Sequence, residues 1–276
     1  MTLQETYEYG KKQLNTVGIP EFELDAWYLL EHVTGMSRTQ YFMCSNQEVE
    51  EEKFLLYREY IEKRMQHIPL QHLTGVQEFM GLTFEVNEHV LIPRQDTEVL
   101  VEHVLKTLEP GMRILDMCTG SGCILLSLLH GERGALGVGV DLSEEALKVA
   151  KKNAEKLEIA STFVQSDLFE KVEGRYDVIV SNPPYICTAV IEELQEEVRL
   201  HDPRMALDGK EDGLYFYRKI IEESTKYLNK NGTLYFEIGH DQGDAVKKQM
   251  EEAGFVEVTV KKDLAGLDRV VFGVYI

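Results

Sequence analysis

At 276 residues the chain has room for one large domain or two smaller ones, and enough apolar material for a core without disulfide or metal staples. Its 43% hydrophobic and 28% charged content is ordinary for a soluble globular protein and favours neither a fibrous nor a disordered chain. Lys and Arg number 29 against 48 Asp and Glu, and the resulting net charge of −19 repels phosphate at long range, which counts against a general nucleic-acid binder.

Residues 1–70 read as a small helical bundle. Apolar residues recur at helical spacing in three runs: Leu3, Tyr7, Leu14 and Val17; Phe22, Ala26, Leu29 and Val33; Phe54, Tyr57, Ile61 and Met65. Gly18-Ile19-Pro20 separates the first two helices and Gly35 ends the second. Strand-like alternation follows at Phe79, Leu82, Phe84, Val86, Val90 and Leu91, so a β-hairpin is expected over 76–92, closed by Pro93. Helical spacing resumes from Thr97 to Leu108.

From Arg113 onward, apolar runs of strand length alternate with helical patterns. The runs are RILDMC (113–118), ALGVGVD (135–141), STFVQSD (161–167), YDVIVSN (176–182) and TLYFEI (233–238). The helix expected at 143–157 has Ser143 as its cap and two Glu in its first turn. Continuously apolar strands alternating with helices predict a parallel sheet covered on both faces. FVEVTVKKD (255–263) and RVVFGVYI (269–276) are separated by too few residues for a crossover helix, so they pair antiparallel. Five parallel strands with a terminal antiparallel hairpin make an α/β fold of the class I methyltransferase type, a Rossmann-like seven-stranded sheet. The expected division is 1–72 for the helical domain, 73–95 for the hairpin linker and 96–276 for the methyltransferase domain.

Cys44, Cys118, Cys123 and Cys187 form no C-x-x-C pair and have no histidine at finger spacing, so reduced thiols are expected and no metal site. MTLQETYEYGKK lacks an apolar signal-peptide core and no run approaches a membrane span, so a cytoplasmic protein is expected.

Two segments carry chemistry. The first, from Asp116 through Cys118, Thr119, Gly120, Ser121 and Gly122, turns the first strand of the sheet into a helix, where open α/β sheets bind ligands. It lacks the third glycine of a dinucleotide fingerprint and suits the amino-acid tail of S-adenosylmethionine better than a pyrophosphate. Asp141 closes the second strand, where a carboxylate can accept from both ribose hydroxyls. Asp167 closes the third, placed for an adenine amino group, with Leu168 to pack on the ring. A lone Asp in such a place is usually a cap or turn residue, but acidic residues in register with the loop favour an adenosine-bearing cofactor.

The second segment, Asn182-Pro183-Pro184-Tyr185, closes the fourth strand. Random placement at this composition yields that tetrapeptide roughly twice in ten thousand chains. A planar sp² nitrogen attacks a methyl group only when its two N–H groups are bound by acceptors. The Asn182 side-chain oxygen and the Pro183 carbonyl supply them, Pro-Pro rigidifies the turn, and Tyr185 offers a ring for stacking. Acceptance strengthens as positive charge grows on nitrogen, which stabilises the transition state with no metal or covalent nucleophile. Asn182 also borders the cofactor.

Such a motif serves adenine or cytosine amino groups and glutamine amides alike. Residues 1–72 hold 7 Lys and Arg against 12 Asp and Glu, and the remainder 22 against 36, so neither half offers the basic region a base-flipping enzyme needs. The ordered set VLIPRQDTEVLV (90–101), ILDMCTGSGCI (114–124), GVDLS (139–143), SNPPYI (181–186), HDPRMALDGKEDGL (201–214), FEIGHDQG (236–243) and DLAGLDRVV (263–271) resembles the release-factor glutamine methyltransferase family, the HemK/PrmC type. The resemblance implies methyl transfer from S-adenosylmethionine to N5 of the glutamine in the Gly-Gly-Gln tip of class I peptide chain release factors. Asn182, Pro183, Pro184 and Tyr185 then clamp the glutamine, and residues 118–122, Asp141 and Asp167 hold the cofactor. The helical domain takes the place of that family's recognition domain. A monomer with no direct nucleic-acid or membrane partner is expected. The rival readings are a nucleic-acid amino-methyltransferase and a non-catalytic S-adenosylmethionine-binding module. The family commonly has Gly where Cys118 stands and Glu-Pro where Asp202-Pro203 stands.

Overall fold

The computed structural model describes residues 1–276. In chain order the first helices are α1 (Leu3–Thr16), α2 (Phe22–Thr34), α3 (Arg38–Cys44), α4 (Glu51–Arg64) and α5 (Leu70–Thr74). A hairpin of β1 (Val76–Phe79) and β2 (Leu82–Glu85) follows, then α6 (Gln95–Leu105), β3 (Arg113–Met117), α7 (Cys123–Gly131), β4 (Leu136–Asp141) and α8 (Glu144–Lys156). The remainder runs β5 (Thr162–Gln165), β6 (Tyr176–Ser181), α9 (Glu196–His201), α10 (Arg204–Leu207), α11 (Tyr215–Tyr227), β7 (Leu228–Glu237), α12 (Gly243–Glu252), β8 (Phe255–Lys262) and β9 (Asp268–Tyr275). Two compact units result: Met1–Val76 with Gln195–His201, and Gln77–Leu194 with Asp202–Ile276. No helix is long and apolar enough to cross a membrane.

In the first unit the helix starts are written in the sequence. Thr2 and Glu5 form a reciprocal capping box on α1, and Ser37 and Gln40 do the same on α3. Gly35, at φ 70°, ends α2 in the left-handed conformation that glycine adopts without strain. Leu14, Ala26, Leu29, Tyr57 and Ile61 are wholly buried between α1, α2 and α4. Gly10 makes room for this packing, because a Cβ there would fall on the Tyr57 hydroxyl, which donates to the Ala26 carbonyl at 3.1 Å. The buried Arg64 guanidinium joins distant segments. It donates to Asp25 at 2.7 Å, to Glu197 of α9 at 2.7 Å and to the Ile68 carbonyl at 3.1 Å. Burial raises the Asp25 carboxyl, and Arg64 opposes that rise.

The second unit holds one seven-stranded sheet in the order β5-β4-β3-β6-β7-β9-β8. All neighbouring pairs are parallel up to β7; β9 is antiparallel to both β7 and β8. Strand alternation sends Ile114, Val178, Val180 and Tyr235 to one face, against Leu100, Val104, Leu125 and Leu128 of α6 and α7. The opposite set, Leu115, Met117, Ile179, Leu234 and Phe236, packs against Tyr217 and Ile220 of α11. Burial on both faces is why these strands read as unbroken apolar runs.

The hairpin is shorter than the pattern over 76–92 suggests. Its turn, Met80-Gly81, has φ 51° and 71°, the two left-handed residues of a tight two-residue hairpin. Pairing stops at Glu85. Val86 and Val90 then pack on Ala146 and Val149 of α8, so the apolar signal there comes from core burial and not from a strand.

Candidate active site

The chain leaves β3 for β4 on one side and later returns to β6 on the other. A crevice therefore opens at the carboxyl ends of β3 and β6, where ligands of open α/β sheets bind. A cavity of about 320 Å³ occupies it, within the size range of small-molecule sites.

The loop after β3 forms one wall. Cys118, Gly120 and Gly122 have φ of 64°, 54° and 79°, so three of five successive residues are left-handed. Cys118 adopts a conformation that costs a side-chain-bearing residue about 1 kcal/mol, which gives a physical reason for glycine at this point in the resembling family. Asn153 of α8, wholly buried, pins the loop: it donates to the Ser121 carbonyl at 3.0 Å and exchanges hydrogen bonds with the Glu85 backbone. Asp141 closes β4, and its carboxylate accepts from Gly120 N–H and Ser143 N–H, each at 2.9 Å. Those amides lower its pKa, but burial dominates and the net shift is upward.

Beneath the loop, Asp116 is fully buried and accepts from the Thr119 hydroxyl. Burial pushes its carboxyl up to about 7, against Thr119 and the Leu125 amide, which lower it. The folded pKa lies above the unfolded one, so the cost of the charged form is absent below pH ~4 and complete above pH ~7. Asp116→Asn should therefore gain stability over the wild type as pH rises, by no more than about 4 kcal/mol at pH 8 and far less at pH 5. Thermal unfolding at the two pH values measures this; an equal difference at both would refute it.

The opposite wall begins at β6. The Ser181 hydroxyl donates to the Met117 carbonyl at 2.6 Å and fixes the two strand ends together. Asn182 follows, with its Nδ2 3.5 Å from the Thr97 hydroxyl oxygen. The Tyr185 hydroxyl lies 3.5 Å from Glu237, and the Tyr185 carbonyl accepts from Gln242 at 3.0 Å. Burial raises the Tyr185 phenol well above its ordinary range, so it stays protonated. Gly213 lets the following segment approach, since a Cβ there would collide with the Tyr185 carbonyl oxygen. Within HDPRMALDGKEDGL, that close approach explains the last glycine.

Of the residues marked from sequence, Cys118, Thr119, Gly120, Ser121, Asp141, Asp167, Leu168, Asn182 and Pro184 line this one cavity. Gly122, Pro183 and Tyr185 are not among the lining residues; Gly122 would bring a Cβ within 3.2 Å of Ala150, and Tyr185 points its hydroxyl to Glu237. Asp167 sits two residues beyond the end of β5, and the chain then turns through Leu168 at φ 47°. Thr97, Leu142, Met205 and Phe216 also line the cavity without having been marked. Thr97 reads in the sequence as an ordinary first-turn residue, and no chemical pattern distinguishes Leu142, Met205 or Phe216. Arg94, which also lines the cavity, and Glu98 both have partners. Arg94 pairs with Asp202 at 2.7 Å, and Glu98 accepts from the Met80 amide at 2.7 Å.

The lining suits S-adenosylmethionine. It carries Glu88, Asp141, Glu145 and Asp167, no lysine, and one arginine already paired, a balance that favours a cationic ligand and disfavours phosphate. Leu142, Leu168 and Ile124 supply apolar wall, and the glycine-bearing loop leaves backbone N–H and C=O groups accessible.

Residues 5–75 match the PrmC N-terminal domain family and residues 94–198 the methyltransferase small domain family. A release factor glutamine methyltransferase of Caulobacter vibrioides is 39% identical over 279 residues, covering 99% of this chain and 96% of that protein. One from Geobacter sulfurreducens is 38% identical over 273 residues, covering 99% and 96%. Among solved structures, the T. thermophilus 16S rRNA N2 G1207 methyltransferase in complex with AdoMet and guanosine shares the fold. It is 18% identical with a TM-score of 0.54, covering 73% of this chain and 50% of that one.

Proposed function

The chain belongs to the release factor glutamine methyltransferase family, and from that premise we propose that it transfers a methyl group from S-adenosylmethionine to N5 of the glutamine in the Gly-Gly-Gln motif of class I peptide chain release factors. The observation that carries this reading is the placement of Asn182, at the head of Asn-Pro-Pro-Tyr, on the wall of the same cavity as Asp141, Asp167 and the loop after β3.

When bound, S-adenosylmethionine supplies an electrophilic methyl group on a sulfonium. Residues 118–122 hold its methionine end, Asp141 accepts from the ribose hydroxyls, and Asp167 with Leu168 takes the adenine. The two amide N–H groups of the substrate glutamine are bound by the Asn182 side-chain oxygen and the Pro183 carbonyl. Neither proline of the turn has an N–H to compete for those acceptors, and both fix φ, so the turn is organised before substrate arrives. Pro184, Phe216 and Met205 give the acceptor side an apolar wall that limits water around the nitrogen. Tyr185 supports the turn from behind, its hydroxyl directed to Glu237.

We assign recognition of the release factor to residues 1–72, a connecting role to 73–95 and the chemistry to 96–276. The protein acts in the cytoplasm as a monomer and does not grip nucleic acid. The net charge of −19 favours a cationic protein surface as partner, so association should weaken as salt rises.

The test supplies labelled S-adenosylmethionine with purified release factor, DNA and RNA in parallel, then maps the methylated position by mass. Label confined to the glutamine of Gly-Gly-Gln is the expected result. Label in nucleic acid, or at another side chain of the release factor, overturns the reading.

A further inference from the structure

Ile186, the residue after Asn-Pro-Pro-Tyr, is the foot of a long strap. Its N–H donates to the Leu207 carbonyl at 3.0 Å and its carbonyl accepts from the Gly209 N–H at 2.8 Å, so residues 187–206 leave and return at one point. On the returning limb Pro203, Met205 and Ala206 line the cavity. The tip belongs elsewhere: Gln195–His201 is part of the helical unit, whereas Leu194 and Asp202 on either side are part of the sheet unit.

Arg64 at the end of α4, with Gln66 and His67 just beyond it, holds that tip. Arg64 Nη2 donates to Glu197 at 2.7 Å, His67 Nε2 lies 3.2 Å from a Glu196 carboxylate oxygen, and His201 Nε2 lies 3.4 Å from the Gln66 carbonyl oxygen. Glu197 and His201, four residues apart, share one face of α9. The Arg64 side chain is 5% exposed, and each of its nitrogens has one acceptor: Asp25, the Ile68 carbonyl and Glu197.

Asp25 alone neutralises the buried guanidinium. Glu197 brings a second negative charge; burial is the main cause of the raised Asp25 carboxyl, and Glu197 adds to it. Arg64 is therefore paired within α2 and α4 even without Glu197, and what Glu197 contributes is the attachment of α9.

From Glu197 the chain reaches the cavity within a few residues. Asp202 follows His201, its side chain 1% exposed and paired with Arg94 at 2.7 Å, and Pro203 then opens the cavity-lining limb with a fixed φ. We propose that Arg64 is a positioning residue for methyl transfer: through Glu197 it anchors α9, and the anchored strap sets where Met205 and its neighbours stand on the acceptor wall. The proposal rests on the reading of this cavity as the site of methyl transfer. Neither Arg64 nor Glu197 is among the lining residues, so both act through the strap.

The experiment compares the full chain with Glu197→Ala, Arg64→Lys, the two combined, and Glu193→Ala, which removes an exposed carboxylate from the same strap. Arg64→Lys keeps a cation beside Asp25 but loses the guanidinium fork, so it avoids the stranded buried carboxylate that Arg64→Ala would leave. Measured are kcat and KM for release factor at saturating S-adenosylmethionine, cofactor affinity by calorimetry, and the NMR methyl resonance of Met205, assigned through Met205→Leu. Glu197→Ala should lose roughly 10-fold in kcat, less than the ~100-fold that a displaced reacting geometry can cost, because Arg94 still holds Asp202. KM and cofactor affinity stay within a few-fold, and the Met205 resonance shifts. Arg64→Lys behaves the same way, and the combined variant is no worse than Glu197→Ala, as expected of two residues acting through one contact. Glu193→Ala matches the wild type. Wild-type kcat in Glu197→Ala, an unmoved Met205 resonance, a loss confined to KM, or additive losses in the combined variant overturns the proposal. A Met205 resonance that shifts in Glu197→Ala, in an enzyme that leaves the release factor unmethylated, supports the anchoring and overturns the substrate reading instead.

Discussion

Asn182→Ala is expected to lower kcat for methyl transfer by roughly 10²- to 10³-fold, the loss that follows removal of one preorganised polar group from a site where charge develops. The amide nitrogen of glutamine is a poor nucleophile because its lone pair is shared with the carbonyl. As it takes the methyl group, positive charge grows on nitrogen and its N–H groups become stronger donors. The Asn182 oxygen accepts more strongly at that moment than in the ground state, so its removal reduces kcat more than it weakens substrate binding. Cofactor affinity should stay within a few-fold, because Asp141, Asp167 and the loop after β3 do not depend on Asn182 for their hydrogen bonds. Single-turnover transfer of labelled methyl, with calorimetric titration of the cofactor, measures both quantities. Loss of cofactor binding with the rate of bound enzyme intact would remove Asn182 from the acceptor role.

That variant targets a residue visible in the sequence, and the reason it was visible is physical. The centre of the sheet is buried on both faces, so β3, β4, β6 and β7 appear as apolar runs whose ends can be read to within a few residues. Motifs at those ends could then be placed on a common edge. The seven-stranded sheet and its antiparallel terminal pair follow from the same logic. The insertion of β9 between β7 and β8 does not, because strand order is set by contacts between distant residues. Residues 186–214 carry no apolar period and hold only short helices fastened by particular bonds, such as Arg64 to Glu197 and Arg94 to Asp202. Thr97 was illegible as a cavity residue for a different reason. A threonine in the first turn of a helix is an ordinary residue, and its approach to Asn182 exists only once α6 and β6 share one edge.

Asp141→Ala should fail in the opposite way. Its carboxylate already accepts from the Gly120 and Ser143 amides, one on each oxygen. A carboxylate has about four acceptor positions, so both oxygens can also take a ribose hydroxyl without giving up those bonds. The amides thus hold the carboxylate in place before the cofactor arrives. Removing it costs two charge-assisted hydrogen bonds to the ribose, each about 1.5–3 kcal/mol, and leaves the Gly120 N–H without its partner in the loop that holds the methionine end. The expected result is a loss of roughly 10²- to 10³-fold or more in affinity for S-adenosylmethionine. At saturating cofactor, kcat should recover to near the wild-type value, because Asn182 and the turn are anchored from Thr97 and Glu237 on the other side of the cavity. Asp141→Asn retains one acceptor oxygen and should fall between the two. The pH dependence has a sign as well. Burial raises the Asp141 carboxyl, so in the wild type cofactor affinity falls as acid protonates it, and Asp141→Asn loses that dependence. Equilibrium binding of S-adenosylmethionine across pH, in the wild type and both variants, decides the point. Unchanged affinity in Asp141→Ala would leave the carboxylate with a purely structural part in the loop.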